Sequence, residues 1–202
     1  MNQPPTRNCR RAGFCLIGLC LGLIGAAWAD NTSEDVQQWL LRMDQAMASI
    51  SYRGTLVRMD NGRIDTLRVV HRVDADGVHD RIQALDGPPR EVLRENDRIR
   101  CLISGHASVV VDNPFPARLF DGVEHDEILG PDSVYEARVL GTDRVAARNA
   151  RVIDIIPTDR YRYGRRLWLD QETAMLLRSM VFTPKGRIVE KLSFVEIELG
   201  AA

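Results

Sequence analysis

The sequence predicts an α+β domain in which a curled antiparallel β-meander, or half-barrel, holds one N-terminal amphipathic helix packed on its concave face. Two observations predict this class. One segment near the N-terminus has apolar residues at helical spacing, and the later segments alternate apolar and polar residues between turn signals. A sheet of roughly nine to eleven short strands curls rather than stays flat, and its concave side can hold the helix.

The first 29 residues carry the three-part pattern of a secretory signal peptide. A positive segment (Arg7 to Arg11) precedes an apolar run (13–26) and a small-x-small cleavage site, Ala27-Trp28-Ala29. The apolar run is shorter than the roughly 20 residues that a membrane-spanning helix needs. We therefore expect a cleaved signal peptide over 1–29 and a single periplasmic half-barrel domain over 30–202.

The charge balance and the cysteines exclude two classes of protein. The chain has 27 Lys and Arg against 28 Asp and Glu, so it is not a generally basic nucleic-acid binder, and no nucleic-acid partner is expected. Of the 4 cysteines, only Cys101 follows the predicted cleavage site. A disulfide-stabilised secreted domain is therefore excluded, and the domain must depend on its core or on a ligand.

The helix is predicted from the capping residues Thr32 and Ser33 to about residue 50. Its apolar residues recur at steps of three and four: Val36, Trp39, Leu40, Met43, Ala46, Met47 and Ile50. On the concave side, Trp39, Met43 and Met47 are the candidates for lining a ligand cavity, because methionine adapts to irregular shapes. The alternative is that this apolar face is simply core.

The strands follow as alternating stretches separated by turns, and Asp60-Asn61-Gly62 is a strong hairpin signal. The predicted strands are 51–59, 63–73, 78–85, 90–94, 98–104, 107–112, 134–140, 147–157, 163–170, 174–182 and 187–199. The segment 113–132 is rich in proline and glycine, and we expect it to form a loop with a short helix.

A dense positive patch interleaved with tyrosines begins between the predicted strands 147–157 and 163–170 and continues into the second of them. Its candidate contacts to an anion or a partner are Arg162, Tyr163, Arg165 and Arg166, preceded by Arg160 and Tyr161. Guanidinium groups suit phosphates and carboxylates, and export from the cytosol favours a phosphorylated glycolipid or an acidic peptide. The alternative is a solvated strand edge paired with Asp159 and Asp170.

No catalytic, cofactor or metal site is expected. The histidines and aspartates of 71–80 resemble the start of a calcium loop but lack its later ligands, which favours a polar hairpin turn. Ser104 and His106 are too near in sequence to form a working hydrolytic pair. Cys101 lies in an alternating strand and is expected to be a small packed side chain. We expect a protein without enzymatic activity.

Six short blocks are spread over the predicted domain: 51–55 (SYRGT), 85–92 (LDGPPREV), 141–149 (GTDRVAARN), 157–164 (PTDRYRYG), 167–170 (LWLD) and 189–191 (VEK). Together they resemble the large N-terminal domain of the RseB/MucB family, the periplasmic regulators of sigma-E-type signalling. The resemblance runs from about Val36 to Leu199. It implies a half-barrel like that of the lipoprotein carriers LolA and LolB.

The resemblance also implies a function. Family members bind the periplasmic segment of an anti-sigma factor, RseA or MucA, shield it from proteolysis, and are released by lipopolysaccharide-type or acyl amphiphiles. The chain would then be a negative regulator of the envelope stress response, without a cofactor. The smaller C-terminal domain of the family is expected to be absent, which leaves a periplasmic lipid or lipoprotein carrier of the LolA kind as the alternative.

Overall fold

The structure is a computed structural model, and it describes residues 33–96, 98–103, 128, 130 and 132–200. The described helix and strands all belong to the compact unit Asn31–Ala202. The predicted strand 107–112 lies outside the described residues, as does nearly all of the predicted loop 113–132.

The helix and strands predicted from residue spacing and turn signals lie close to the observed ones. Helix α1 spans Ser33–Ser49. The strands are β1 (Tyr52–Asp60), β2 (Arg63–Asp74), β3 (Gly77–Ala84), β4 (Arg90–Glu95), β5 (Arg98–Ile103), β6 (Tyr135–Val145), β7 (Arg148–Pro157), β8 (Gly164–Asp170), β9 (Leu176–Phe182) and β10 (Ile188–Leu199).

The ten strands form one antiparallel sheet in the order β5-β4-β3-β2-β1-β10-β9-β8-β7-β6. The meander therefore has two halves, β1–β5 and β6–β10, which the pairing of β1 with β10 joins at the centre of the sheet. Strands β5 and β6 end the order on either side. The predicted α+β class, an open antiparallel half-barrel with one helix on a face of the sheet, is confirmed.

Helix α1 covers the half of the sheet formed by β6 to β9. Its buried residues Val36, Leu40 and Met43 pack in one core cluster with strand residues that include Val139, Ile153, Ile155, Leu167, Leu169 and Leu176. Strands β1 to β4 of the first half, together with β10, carry a second cluster around Leu56, Leu67 and Phe194. Met47 packs against both of these clusters, so the helix connects them.

Two tight turns need a left-handed backbone. Asn61 (φ 48°) and Gly62 (φ 87°) form the predicted hairpin turn between β1 and β2. Ala146 (φ 49°) and Ala147 (φ 63°) form the corresponding turn between β6 and β7, a conformation that alanine seldom adopts. Strand β6 runs past the predicted end at residue 140, because a bulge between Val139 and Gly141 keeps it paired with β7.

Candidate functional site

The three predicted cavity residues lie between the helix and the sheet. Met43 is 6% exposed and belongs to the core cluster under the helix, and Met47 is half-buried where the two clusters meet. Trp39 is half-buried at the side of the helix, where Arg42 and Arg151 lie over its ring. The structure therefore brings these side chains to one interface, and their role in lining a ligand cavity stays a prediction.

The tyrosine–arginine loop (158–163) connects β7 to β8 and presents two aromatic rings to solvent. Tyr161 is 78% exposed and Tyr163 is 55% exposed. The guanidinium of Arg160 lies 5.3 Å from the centre of the Tyr161 ring and donates hydrogen bonds to its hydroxyl at 3.2 and 3.3 Å. Large exposed aromatic rings beside arginine are typical of binding surfaces.

Asp159 fixes the conformation of this loop. Its carboxylate accepts a hydrogen bond from the Tyr161 backbone N–H at 2.8 Å and pairs with Arg162. The Tyr161 N–H, with the charge of Arg162, lowers the pKa of Asp159. The pairing expected between the patch and Asp159 is therefore present, and the loop holds its tyrosines outward.

The two arginines of the patch that follow on β8 face opposite sides of the sheet. Arg165 lies opposite Ile155, which is part of the core cluster under the helix. Arg166 lies opposite Asp154 and pairs with it, with Nη2 at 2.8 Å from Oδ2. Asp154 is 2% exposed, so the hydrogen bonds that it accepts satisfy a buried charge and raise the pKa of Arg166.

The blocks 141–149 and 167–170 meet at the other end of the same strands. The Trp168 indole N–H donates a hydrogen bond to Asp143 at 2.8 Å. Arg148 forms two hydrogen bonds with Asp170, at 2.7 and 3.2 Å, and Asp170 also accepts bonds from the N–H and hydroxyl of Thr173. These contacts fix the turn between β8 and β9, so Asp170 is paired with Arg148 rather than with the positive patch.

The other long blocks also have structural roles. Asp86 accepts a hydrogen bond from the Thr66 backbone N–H at 2.9 Å, which ties the turn after β3 to β2. Arg90 pairs with the buried Asp65 at 2.9 Å. A Cβ at Gly164 would overlap the ring of Phe182, so a larger residue at the end of the block 157–164 would require that ring to move.

A buried polar group on β2 and β3 was not predicted from the sequence. His71 is 7% exposed, its Nδ1 lies 2.5 Å from Oδ1 of Asp80, and its ring stacks on Tyr52 at 4.9 Å. Burial, with the charge of Asp80, raises the pKa of Tyr52. The alternation of Leu67, Val69 and His71 was the signal that the histidine faces the core. In the described part of the chain no cluster of three or more possible metal ligands occurs.

The sequence matches the family model of the MucB/RseB N-terminal domain over residues 35–202. It is 36% identical over 186 residues to the sigma factor AlgU regulatory protein MucB of Pseudomonas aeruginosa, covering 91% of this chain and 57% of that protein. It is 25% identical over 184 residues to the sigma-E factor regulatory protein RseB of Haemophilus influenzae, covering 91% of this chain and 58% of that protein. The chain thus spans little more than half the length of these relatives.

Solved structures agree with the match. MucB in the Pseudomonas aeruginosa MucA/MucB complex is 35% identical, with a TM-score of 0.69 over 83% of this chain and 58% of that chain. A crystal structure of MucB is 36% identical, with a TM-score of 0.69 over 84% of this chain and 60% of that chain. In the part of the chain that the structure describes, no helix is both long and apolar enough to cross a membrane. By sequence and by fold, the chain belongs to the MucB/RseB family.

Proposed function

We propose that the chain is a periplasmic negative regulator of sigma-E-type envelope-stress signalling. It binds the periplasmic segment of a MucA- or RseA-like anti-sigma factor, shields that segment from proteolysis, and releases it when a lipopolysaccharide-type or acyl amphiphile binds. It uses no cofactor and catalyses no reaction.

The observation that carries the proposal is the likeness to MucB bound to its partner. MucB in complex with the periplasmic part of MucA is 34% identical to this chain, with a TM-score of 0.67 over 85% of it. The named relatives are regulatory proteins of sigma factors rather than enzymes. Because the match covers only 57% of that relative's chain, the partner is carried to this protein as part of the proposal.

The tyrosine–arginine loop supports a protein partner. Tyr161 and Tyr163 expose large rings that are held outward by the contacts of Asp159, so little conformational entropy is lost when a partner covers them. Arg160 adds a guanidinium that forms no ion pair with any described residue, and a guanidinium suits an acidic peptide.

The helix interface supports the binding of an amphiphile. Met47 lies where the two core clusters meet and Met43 lies within the cluster under the helix, and methionine side chains can change rotamer at little cost. An acyl chain inserted there would compete with the packing of α1 on the sheet. If the amphiphile binds the partner-free regulator more tightly than the partner-bound one, it must weaken partner binding. The loss of partner-binding free energy equals the difference between the amphiphile's binding free energies for the two forms.

A protease-protection assay tests the proposal. The purified chain is mixed with the periplasmic segment of its cognate anti-sigma factor, and cleavage by the site-1 protease is followed over time. We expect saturating chain to slow cleavage at least fivefold and lipopolysaccharide to restore it. The double variant Tyr161→Ala, Tyr163→Ala is expected to protect at least fivefold less well.

The matched control is Val195→Ala, which truncates a side chain that is 62% exposed on β10, outside the loop. It is expected to protect like the unmodified chain. Cleavage at one rate with and without the chain would refute the regulator. If the chain then still bound the amphiphile, the alternative function, a periplasmic lipid or lipoprotein carrier, would replace the regulator as the proposed function.

A further inference from the structure

The tyrosine–arginine loop is anchored to the short segment that precedes β6. The backbone N–H and the hydroxyl of Thr158, the first residue of the loop, both donate hydrogen bonds to the backbone oxygen of Val134, at 2.8 and 3.0 Å. Asp159 follows Thr158 directly, and its carboxylate accepts a hydrogen bond from the backbone N–H of Tyr161. The position of Val134 therefore determines where the loop begins.

Ser133, the residue before Val134, contacts the core under the helix rather than the loop. Its hydroxyl donates a hydrogen bond of 2.7 Å to the backbone oxygen of Ile128. Ile128 is 2% exposed and belongs to the same core cluster as Met43 of α1. The neighbouring residues Ser133 and Val134, which we call the Ser133–Val134 joint, thus connect the core under the helix to the loop.

The joint is the part of this connection that can move. Residues 132–134 lie in no helix or strand, whereas β7 and β8, on either side of the loop, are held by antiparallel pairing. The Ser133 N–H donates to the backbone oxygen of Gly130 at 3.0 Å, and Oγ of Ser133 accepts a hydrogen bond of 3.0 Å from the Tyr135 N–H. A segment fixed by a few such bonds can change its dihedral angles without breaking a strand ladder.

Close packing makes Ile128 respond to the helix. A protein interior packed without large voids transmits a displacement from one side chain to its neighbours. An acyl chain inserted between α1 and the sheet would move Met43, and Ile128 lies in the cluster that Met43 helps to form. The Ser133 hydroxyl would carry that shift to Val134, and the two hydrogen bonds of Thr158 would carry it to the loop.

We propose that the Ser133–Val134 joint couples the core under α1 to the tyrosine–arginine loop. An acyl chain bound under the helix shifts the joint, the loop loses the arrangement that presents its tyrosines to a partner, and partner affinity falls. The inference rests on the proposed function and adds to it the residues through which one ligand acts on the other. Ser133 and Thr158 are positioning residues, since they act through the loop rather than by contact with either ligand.

Amide NMR spectra of the purified chain, titrated with sodium dodecanoate below its micelle concentration, test the coupling without a partner. In the unmodified chain we expect the amide signals of Met43 and Met47 to shift together with those of Tyr161 and Tyr163. In Ser133→Ala the methionine signals should still shift, and the tyrosine shifts should be at least twofold smaller. Ser133→Thr keeps a hydroxyl at this position and should restore the tyrosine shifts.

Calorimetry measures the effect on the partner. The Kd of the cognate anti-sigma segment with saturating lipopolysaccharide, divided by the Kd without it, is the coupling factor. We expect a factor of at least five in the unmodified chain and of less than two in Ser133→Ala. Thr158→Val keeps the N–H bond to Val134, so its factor should fall at least twofold rather than vanish. The matched control Thr142→Val, at an exposed threonine of β6, should keep the full factor.

The outcomes separate this inference from the proposed function. Methionine shifts without tyrosine shifts in the unmodified chain overturn the role of the joint and leave the regulator intact. A coupling factor that is unchanged in both Ser133→Ala and Thr158→Val also overturns it, and a lower urea midpoint in those variants would then show a structural role only. If the methionine signals do not shift and the segment does not bind, the proposed function fails and this inference fails with it.

Discussion

Buried charge in this protein is held in pairs between strands and turns. Asp154 is 2% exposed and meets Arg166, Asp170 is 1% exposed and meets Arg148, and Asp65 is 3% exposed and meets Arg90. In each pair the carboxylate is buried and the arginine reaches solvent. Removal of Arg166 would therefore leave an uncompensated carboxylate inside the protein, which is costly, whereas Asp65 would keep a second pair with Arg63 if Arg90 were removed.

Arg166 and Arg160 give a direct comparison within the positive patch. Arg166→Met is expected to lower the free energy of unfolding by about 2 kcal/mol, because Asp154 loses its partner. The value is below that for breaking a fully buried pair, since the Arg166 side chain is 37% exposed. Arg160→Met is expected to change it by less than about 0.5 kcal/mol. Urea unfolding measures both.

The substitution Asp154→Asn, added to the Arg166→Met variant, tests whether the isolated charge of Asp154 causes the loss of stability. It removes the isolated charge, so part of the lost stability should return. Equal stability of Arg166→Met and the unmodified chain would contradict the structural role given to the pair.

The residues of the positive patch show how far a sequence can be read at this scale. The composition of 160–166 marks a surface rich in arginine, and the short spacing from Asp159 to Arg162 indicates a local pair, which the structure contains. The partner of Arg166 could not be predicted, because Asp154 is twelve residues away and meets it only through the register of β7 and β8. The position of Arg151 beside Trp39 was not predicted either. Its alternation with Ile153 and Ile155 indicates the same sheet face, but its charge suggested an exposed position.

At the scale of the elements, the turns depend on single polar side chains. Asp170 ends β8 and accepts hydrogen bonds from the backbone N–H groups of Glu172 and Thr173 as well as from Arg148. Burial opposes the charged form, but the hydrogen bonds of Arg148 and Thr173 outweigh it and lower the pKa of Asp170. The turn therefore binds the ionised form of this carboxyl.

The pH dependence of stability follows from this shift. A carboxyl whose pKa is lower in the folded than in the unfolded state stabilises the fold above its unfolded pKa of about 3.9, and this contribution is lost as the pH falls through the folded pKa. We expect Asp170→Asn to lower the free energy of unfolding by about 2 kcal/mol at pH 7. The loss is no larger because Arg148 is partly exposed and keeps its ion pair with Glu172. The difference from the unmodified chain should shrink below about pH 4.

Urea unfolding at a series of pH values measures that difference. Asp132→Asn, which changes an exposed carboxyl, is the control and should follow the unmodified chain at every pH. A destabilisation by Asp170→Asn that is the same at pH 7 and at pH 3 would contradict an ionised Asp170 in the turn.

The elements themselves were largely predictable, because their periodicity is local. The helical spacing from Val36 to Met47 and the turn Asn61-Gly62 each specify one element without reference to the rest of the chain. The turn Ala146-Ala147 carried no such signal, since alanine does not favour a left-handed backbone. The bulge that extends β6 was equally hidden, because it depends on pairing with β7.

At the scale of the whole molecule, the pairing of β1 with β10 brings the two ends of the domain together in the middle of the sheet. Sequence alternation specifies the face of each strand but not its neighbours, so it predicted a meander and not its division into two halves. The division places α1 on β6 to β9 and leaves Met47 at the contact with the other half. The candidate interface for an amphiphile is thus a consequence of the strand order.

Isothermal titration calorimetry of the chain with the periplasmic segment of its cognate anti-sigma factor tests the central claim most directly. The account predicts a saturable one-to-one complex with a Kd below about 10 μM, or a binding free energy of about −7 kcal/mol, and a weaker Kd when lipopolysaccharide is present. A titration without saturable heat at segment concentrations of about 100 μM, with the chain folded, would contradict it.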